Sequence, residues 1–133
     1  MRMNVYRGVY YGQVLAKKNS KSIGFRNGKP FIRNNNRVSV QESEMAKKFQ
    51  DDFIEEGFIE SFESGVEVIV EIWNQDRRCR DLDNQISTVL DALVLGGIIK
   101  DDSQDYVRRI KGYVRGIDKE NPHVIATIYE ITD

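Results

Sequence analysis

The chain has 133 residues, 40% apolar and 31% charged, which is enough to build one hydrophobic core and leaves no length for a second. A single cysteine, Cys79, and a single histidine, His123, exclude an internal disulfide and a Cys/His zinc cluster, and nothing aims His123 at a nucleophile. The net charge of −1 conceals a segregation: residues 1–41 hold nine Lys/Arg and no acid, residues 42–71 hold two Lys and ten acids, and residues 72–133 are nearly balanced.

Such a basic arm can neutralise phosphates, or it can fold against the acidic stretch that follows, and charge alone leaves both open. No apolar run approaches the about 20 residues of a membrane span, and the opening MRMNVYRG has no apolar signal core. The expectation is one cytoplasmic domain over residues 1–133, without membrane contact and with Cys79 as an ordinary thiol.

In chain order, residues 5–14 are rich in β-branched and aromatic side chains and predict a first strand. A polar loop with Lys17, Lys18 and Lys21 follows, and Asn27-Gly28 inside residues 24–33 signals a hairpin. Ser39 and Glu42 have capping-box spacing, and Met45, Phe49, Phe53 and Ile54 recur at helical intervals, so a first helix is expected over 40–56. Val66, Val68, Val70 and Ile72 alternate with Glu67, Ile69, Glu71 and Trp73, the period of a strand with one buried face. Glu67 and Glu71 then belong to a solvated sheet face. A second helix is signalled by Asp83 as N-cap, an apolar stripe of Ile86, Val89, Leu90 and Leu93, and a Gly96-Gly97 stop. Strand-like segments at 98–100, 107–114 and 124–129 complete the chain. The expected fold is α/β: a small mixed β-sheet with two helices.

The chemistry concentrates in Arg80-Asp81-Leu82-Asp83-Asn84 and Lys100-Asp101-Asp102-Ser103-Gln104. Asp81 and Asp83 stand two apart, so in an extended segment both point to one side. A helix over 84–95 covers about 18 Å, and an extended return over 97–102 covers about 20 Å. That path is expected to bring Asp102 back beside Asp81 and Asp83. Three convergent carboxylates repel unless a cation sits among them, and hard oxygen donors suit Mg²⁺, with Mn²⁺ as a substitute. An isolated D-x-D has a plainer role as helix cap and solvated turn. A calcium loop is excluded, because its sixth and twelfth positions counted from Asp81 are Ile86 and Ala92.

The Arg80–Asn84 motif, a helix carrying Leu90-Asp91-Ala92-Leu93, and Gly97-Ile98-Ile99-Lys100-Asp101-Asp102-Ser103-Gln104 together resemble the RusA family of Holliday-junction resolvases. The resemblance is specific over residues 80–104. It implies a RusA-like fold and a small homodimeric, Mg²⁺-dependent endonuclease of bacteria or phages that cuts four-way DNA junctions in recombination and repair. It also implies that Asp81, Asp83 and Asp102 are the catalytic metal-binding acids, with Arg80 on a phosphate and Asn84, Asp91 and Asp101 in support. Four residues after Asp83 the family commonly has a catalytic lysine, where this chain has Ser87. A serine cannot supply a positive charge. Lys100, or Lys17, Lys18 or Lys21 of the basic loop, then substitutes and contacts DNA; alternatively the protein binds branched DNA without cutting it. The basic run Arg108, Arg109, Lys111 and Arg115 extends the candidate DNA surface. Tyr10, Tyr11, Phe25 and Phe31 are either wedges at an open crossover or ordinary core.

Overall fold

The computed structural model describes residues 4–16, 21–34 and 37–131. The elements are β1 (Val5–Tyr11), β2 (Lys21–Arg26), β3 (Lys29–Asn34), α1 (Arg37–Glu55), β4 (Val66–Asn74), α2 (Leu82–Leu95), β5 (Val107–Ile117) and β6 (His123–Glu130). Four strands form one sheet in the order β1-β6-β4-β5, and β2 and β3 pair separately as a hairpin. This is the small α/β fold with two helices expected above. Asn27 (φ 53°) and Gly28 (φ 76°) make the hairpin turn, whose two left-handed residues match the twist of the strands they join.

Packing follows from the period-two run. Val66, Val68, Val70 and Ile72 are fully buried, as are Val124, Ala126 and Ile128 of β6. Against them lie Met45, Phe49 and Phe53 of α1 and Val89 and Leu93 of α2. Both helices thus cover one face of the sheet. The free edge of β1 is closed by Asp52 of α1 and Glu56 just beyond its end, which accept the backbone N–H groups of Val9 (3.1 Å) and Arg7 (3.4 Å). Carboxylates of the acidic stretch are therefore committed, at least in part, to the first strand, which settles an unpaired edge.

Several boundaries differ from expectation. β1 stops at Tyr11, because Gly12 (φ 150°) turns residues 13–16 off the sheet. α1 starts at Arg37, so Ser39 lies inside it and bonds within the helix, its carbonyl accepting the Ser43 hydroxyl, instead of capping it. The N-cap of α2 is Asp81, and Asp83 is its second helical residue. Residues 98–100 form no strand; Ile99 makes one bridge to Phe62, and the side chains of Ile98 and Ile99 are wholly buried.

The connection that matters for function is β4–α2–β5. β5 runs parallel to β4, Val107 pairing with Val66 and Ile117 with Asn74. Parallel strands require a crossover, so α2 carries the chain back from the end of β4 to its beginning.

Candidate functional site

The first acidic motif sits at the start of α2. Asp81 is extended (φ −82°, ψ 112°) and its carbonyl accepts the N–H of Gln85. Asn84 Nδ2 donates to Asp81 Oδ2 at 3.1 Å, and Asp83 Oδ1 accepts the Asn84 N–H at 3.0 Å. Both acids are exposed, beside backbone N–H groups that favour negative charge. Because Asp83 is already helical, the alternation rule that would align it with Asp81 does not apply. Asp83, Ser87 and Asp91 instead share a helix face at four-residue spacing. The Ser87 hydroxyl donates to the Asp83 carbonyl at 3.0 Å.

Arg80 is turned inward as a brace. Its guanidinium pairs with Asp76 at 2.8 Å and donates to the carbonyls of Asp76 and Arg78. The Arg78 N–H on the Asp76 carboxylate, then the Arg80 hydrogen bond, hold the Asp76 carboxyl below its usual pKa range. Cys79 is an exposed free thiol.

Sequence reasoning missed the amides that hold this end of α2. Gln85, 1% exposed, donates through Nε2 to the Val14 carbonyl and to Asn74 Oδ1, both at 3.0 Å. Gln13 Nε2 donates to the same Asn74 oxygen, Gln41 brackets Gln13 and Leu15, and the Thr88 hydroxyl donates to the Leu15 carbonyl. This clasp fixes residues 13–15, the segment leading into the basic loop, against the first turns of α2. The available signal was Gln85 and Thr88 at intervals that place them next to the apolar stripe.

The second acidic motif lies elsewhere. α2 ends in a glycine motif in which the Ile98 N–H donates to the Leu93 carbonyl and Gly97 (φ 76°) to that of Val94. Ile99 then bridges Phe62, and the Ser103 carbonyl accepts the Tyr106 and Val107 N–H groups just before β5. Asp101 and Asp102 are exposed on that connection, with Asp101 Oδ1 accepting the Asp102 N–H. They therefore sit at the beginning of β4, while Asp81 and Asp83 sit beyond its end. The 14 residues of α2 separate the two motifs by about 20 Å. The expected return of Asp102 to the helix start does not occur within the chain, because the parallel course of β5 holds residues 98–106 at the far end. Among the described residues no three His, Cys, Asp or Glu side chains are grouped to hold a metal ion. The acids of one chain thus do not by themselves fit Mg²⁺.

The other candidates divide similarly. Lys100 accompanies Asp101 and Asp102, and Lys21 begins β2 opposite Asn34, while Lys17 and Lys18 lie outside the described residues. Tyr10 is half-buried with its hydroxyl on Glu44, burial and that carboxylate raising its pKa, whereas Tyr11 is exposed. Phe25 and Phe31 lie in β2 and β3.

A family model for endodeoxyribonuclease RusA matches residues 27–129, from the hairpin turn to the penultimate residue of β6, and spans both acidic motifs. The chain belongs to the RusA family. The RusA activity is endonucleolytic cleavage of DNA at Holliday junctions. No curated protein matches the chain. No helix among the described residues is long and apolar enough to cross a membrane.

Proposed function

We propose that the protein is a Mg²⁺-dependent endodeoxyribonuclease, active also with Mn²⁺, that nicks opposed strands of four-way DNA junctions in recombination and repair. It acts as a homodimer in the cytoplasm of a bacterium, with a bacterial, prophage or phage gene as its source. The observation that carries this reading is the RusA match across both acidic motifs.

Asp81, Asp83 and Asp102 are the metal-binding acids, and their separation supplies its own argument for the dimer. Carboxylates held about 20 Å apart in one chain can meet between two chains, when the Asp102 end of α2 in one copy faces the Asp81 end in the other. A two-fold axis creates two such sites at once, as two matched nicks in a symmetric junction require. Lys100 travels with Asp102 into that shared site and there supplies the cation that Ser87 does not. Lys17, Lys18 and Lys21 contact phosphates, while Arg80 orders the loop before the acids. Asn84, Asp91 and Asp101 support the acids.

A second reading rests on Ser87, whose hydroxyl is bonded to its own helix: the protein binds branched DNA without cutting it. A gel assay on a synthetic four-way junction and a linear duplex, with and without Mg²⁺, separates the two. Paired nicks that need Mg²⁺ and vanish in Asp83→Asn establish the resolvase. Junction binding without nicks, with cutting gained in Ser87→Lys, establishes the binding protein, and no preference for the junction overturns both.

A further inference from the structure

The helices cover one face of the sheet, and its other face carries an ordered row of rings. Tyr11, His123 and Trp73 are cross-strand partners on β1, β6 and β4. The Tyr11 and His123 ring centres are 5.4 Å apart, and those of His123 and Trp73 are 4.4 Å apart with planes within 11°. These separations approximate the spacing between strands, so the rings stand side by side like leaves, each on its own strand. The Asn121 carbonyl, 2.8 Å from His123 Nδ1, fixes the middle leaf.

On the fourth strand the row ends at Gly116, the β5 partner of Trp73. A Cβ placed on Gly116 would meet a single neighbouring atom within 4 Å, Trp73 Cδ1 at 4.0 Å. The outer side of the indole therefore faces an open slot floored by glycine backbone. A cation stands beside it. Arg115, next in the chain, lies 4.1 Å over the Tyr113 ring and pairs with Glu71 at 2.8 Å. Further along β5, Arg109 and Lys111 share the Glu67 carboxylate, the lysine as an ion pair at 3.1 Å without hydrogen-bond alignment. A cleft of about 300 Å³ running past Gly116 is lined by Arg77 and Arg78, with Arg80 and Asp76 in its wall already paired to each other.

The geometry points to this slot as the seat of one unpaired DNA base, stacked on Trp73 as the fourth leaf of the row, with neighbouring phosphates on Arg115, Arg77 and Arg78. Aromatic faces accept any base, and a surplus of guanidinium groups over carboxylates suits a polyanion. The inference rests on the junction-cleaving reading, in which strands open near the crossover, because the slot lies at the end of the sheet that leads into Asp81 and Asp83.

Trp73 is the chain's single tryptophan, so its emission reports stacking directly. The intact protein is titrated with a short oligodeoxythymidylate and, separately, with a blunt duplex, while Trp73 fluorescence is followed. The oligonucleotide is expected to quench the emission and the duplex to leave it unchanged. Gly116→Val, whose methyl groups fill the slot, weakens quenching affinity about tenfold, whereas Gly116→Ala, with one methyl in ordinary contact, retains most of it. Arg115→Gln, judged by anisotropy of a labelled oligonucleotide, weakens binding and lowers its salt slope by about one. Circular dichroism checks the fold of each variant. Unchanged emission with the oligonucleotide, or wild-type quenching by a folded Gly116→Val, overturns the slot. So does a concentration-dependent emission change without DNA that Gly116→Val abolishes, which would assign the face to a second copy of the chain. Junction cleavage by the wild type is scored in parallel: quenching without cleavage leaves the slot standing and removes the resolvase reading, and cleavage without quenching does the reverse.

Discussion

The two ends of α2 are secured by different physics. At the start, buried amides do the work: Gln85 and Thr88 reach residues more than 70 positions away and tie the segment before the basic loop to the helix. At the finish, backbone and apolar burial suffice, with Gly97 in the left-handed region and Ile98 and Ile99 sealed in the core. Each end then presents exposed aspartates. The lesson is that a rigid helix, anchored independently at both ends, holds two acidic motifs apart instead of bringing them together.

Substitutions at each end of α2 decide whether the two ends serve one site or two. Asp83→Asn and Asp102→Asn are each expected to lower junction cutting by about three orders of magnitude, since a metal ligand supports several kcal/mol of transition-state stabilisation. Mixing the two inactive proteins under conditions that exchange subunits is expected to restore nicking at one strand. In a shared site, the mixed dimer carries both substitutions in one centre and none in the other. In a site built within each chain, both centres of the mixed dimer stay damaged and the mixture stays inactive. Single nicks from the mixture therefore support the dimeric centre, and an inactive mixture with demonstrated subunit exchange rejects it.

Stability changes sharpen the contrast between the anchors. Gln85→Met keeps the volume but removes two hydrogen bonds, leaving the Val14 carbonyl and Asn74 Oδ1 only the Gln13 amide as donor, and is expected to cost about 2 kcal/mol, read as a lowered urea midpoint. Gly97→Ala meets no atom within 4 Å, so its cost is the left-handed backbone alone, about 1 kcal/mol, read the same way. Equal losses would mean that the clasp is no stronger than a glycine cap.

Much of the fold was legible because local pattern and tertiary role agreed. The alternation at 66–72 became β4, Asn27-Gly28 became a left-handed turn, and the stripe at 86, 89, 90 and 93 faced the core before the Gly96-Gly97 stop. The return of Asp102 to Asp81 and Asp83 within one chain was not legible, for a reason of direction. Chain length allows residues 97–102 to return along α2, but the parallel pairing of Val107 with Val66 forbids it, and pairing direction is set by contacts across the sheet. The crossover rule for consecutive strands was the available warning. The clasp was harder to see, because glutamines beside an apolar stripe resemble a solvated flank until their partners are brought near from residues 13–15 and 74. The capping-box spacing of Ser39 and Glu42 marked the neighbourhood of the α1 start but not its first residue.

The smallest expected effect concerns the brace before the acids. Asp76 receives the Arg78 N–H and the Arg80 guanidinium, so folding lowers its pKa from the ordinary 3.8. A carboxyl shifted downward stabilises the fold once ionised; its contribution is full above 3.8 and is lost as the pH falls through the folded value. Glu56 has the opposite sign, since burial raises its pKa and the associated stability is lost as the pH rises through that value. Asp76→Asn should therefore lower the urea midpoint slightly at neutral pH, with the difference from wild type closing as the pH drops below 3.8. At the other end of α2, Asp101 accepts only the Asp102 N–H among the described residues, a bond that an asparagine oxygen can also accept. Asp101→Asn should leave the midpoint unchanged across the same range. A midpoint of Asp76→Asn equal to wild type at every pH would show that Arg80 is held by the two backbone carbonyls without help from the carboxylate, and would make the two ends of the helix electrostatically alike.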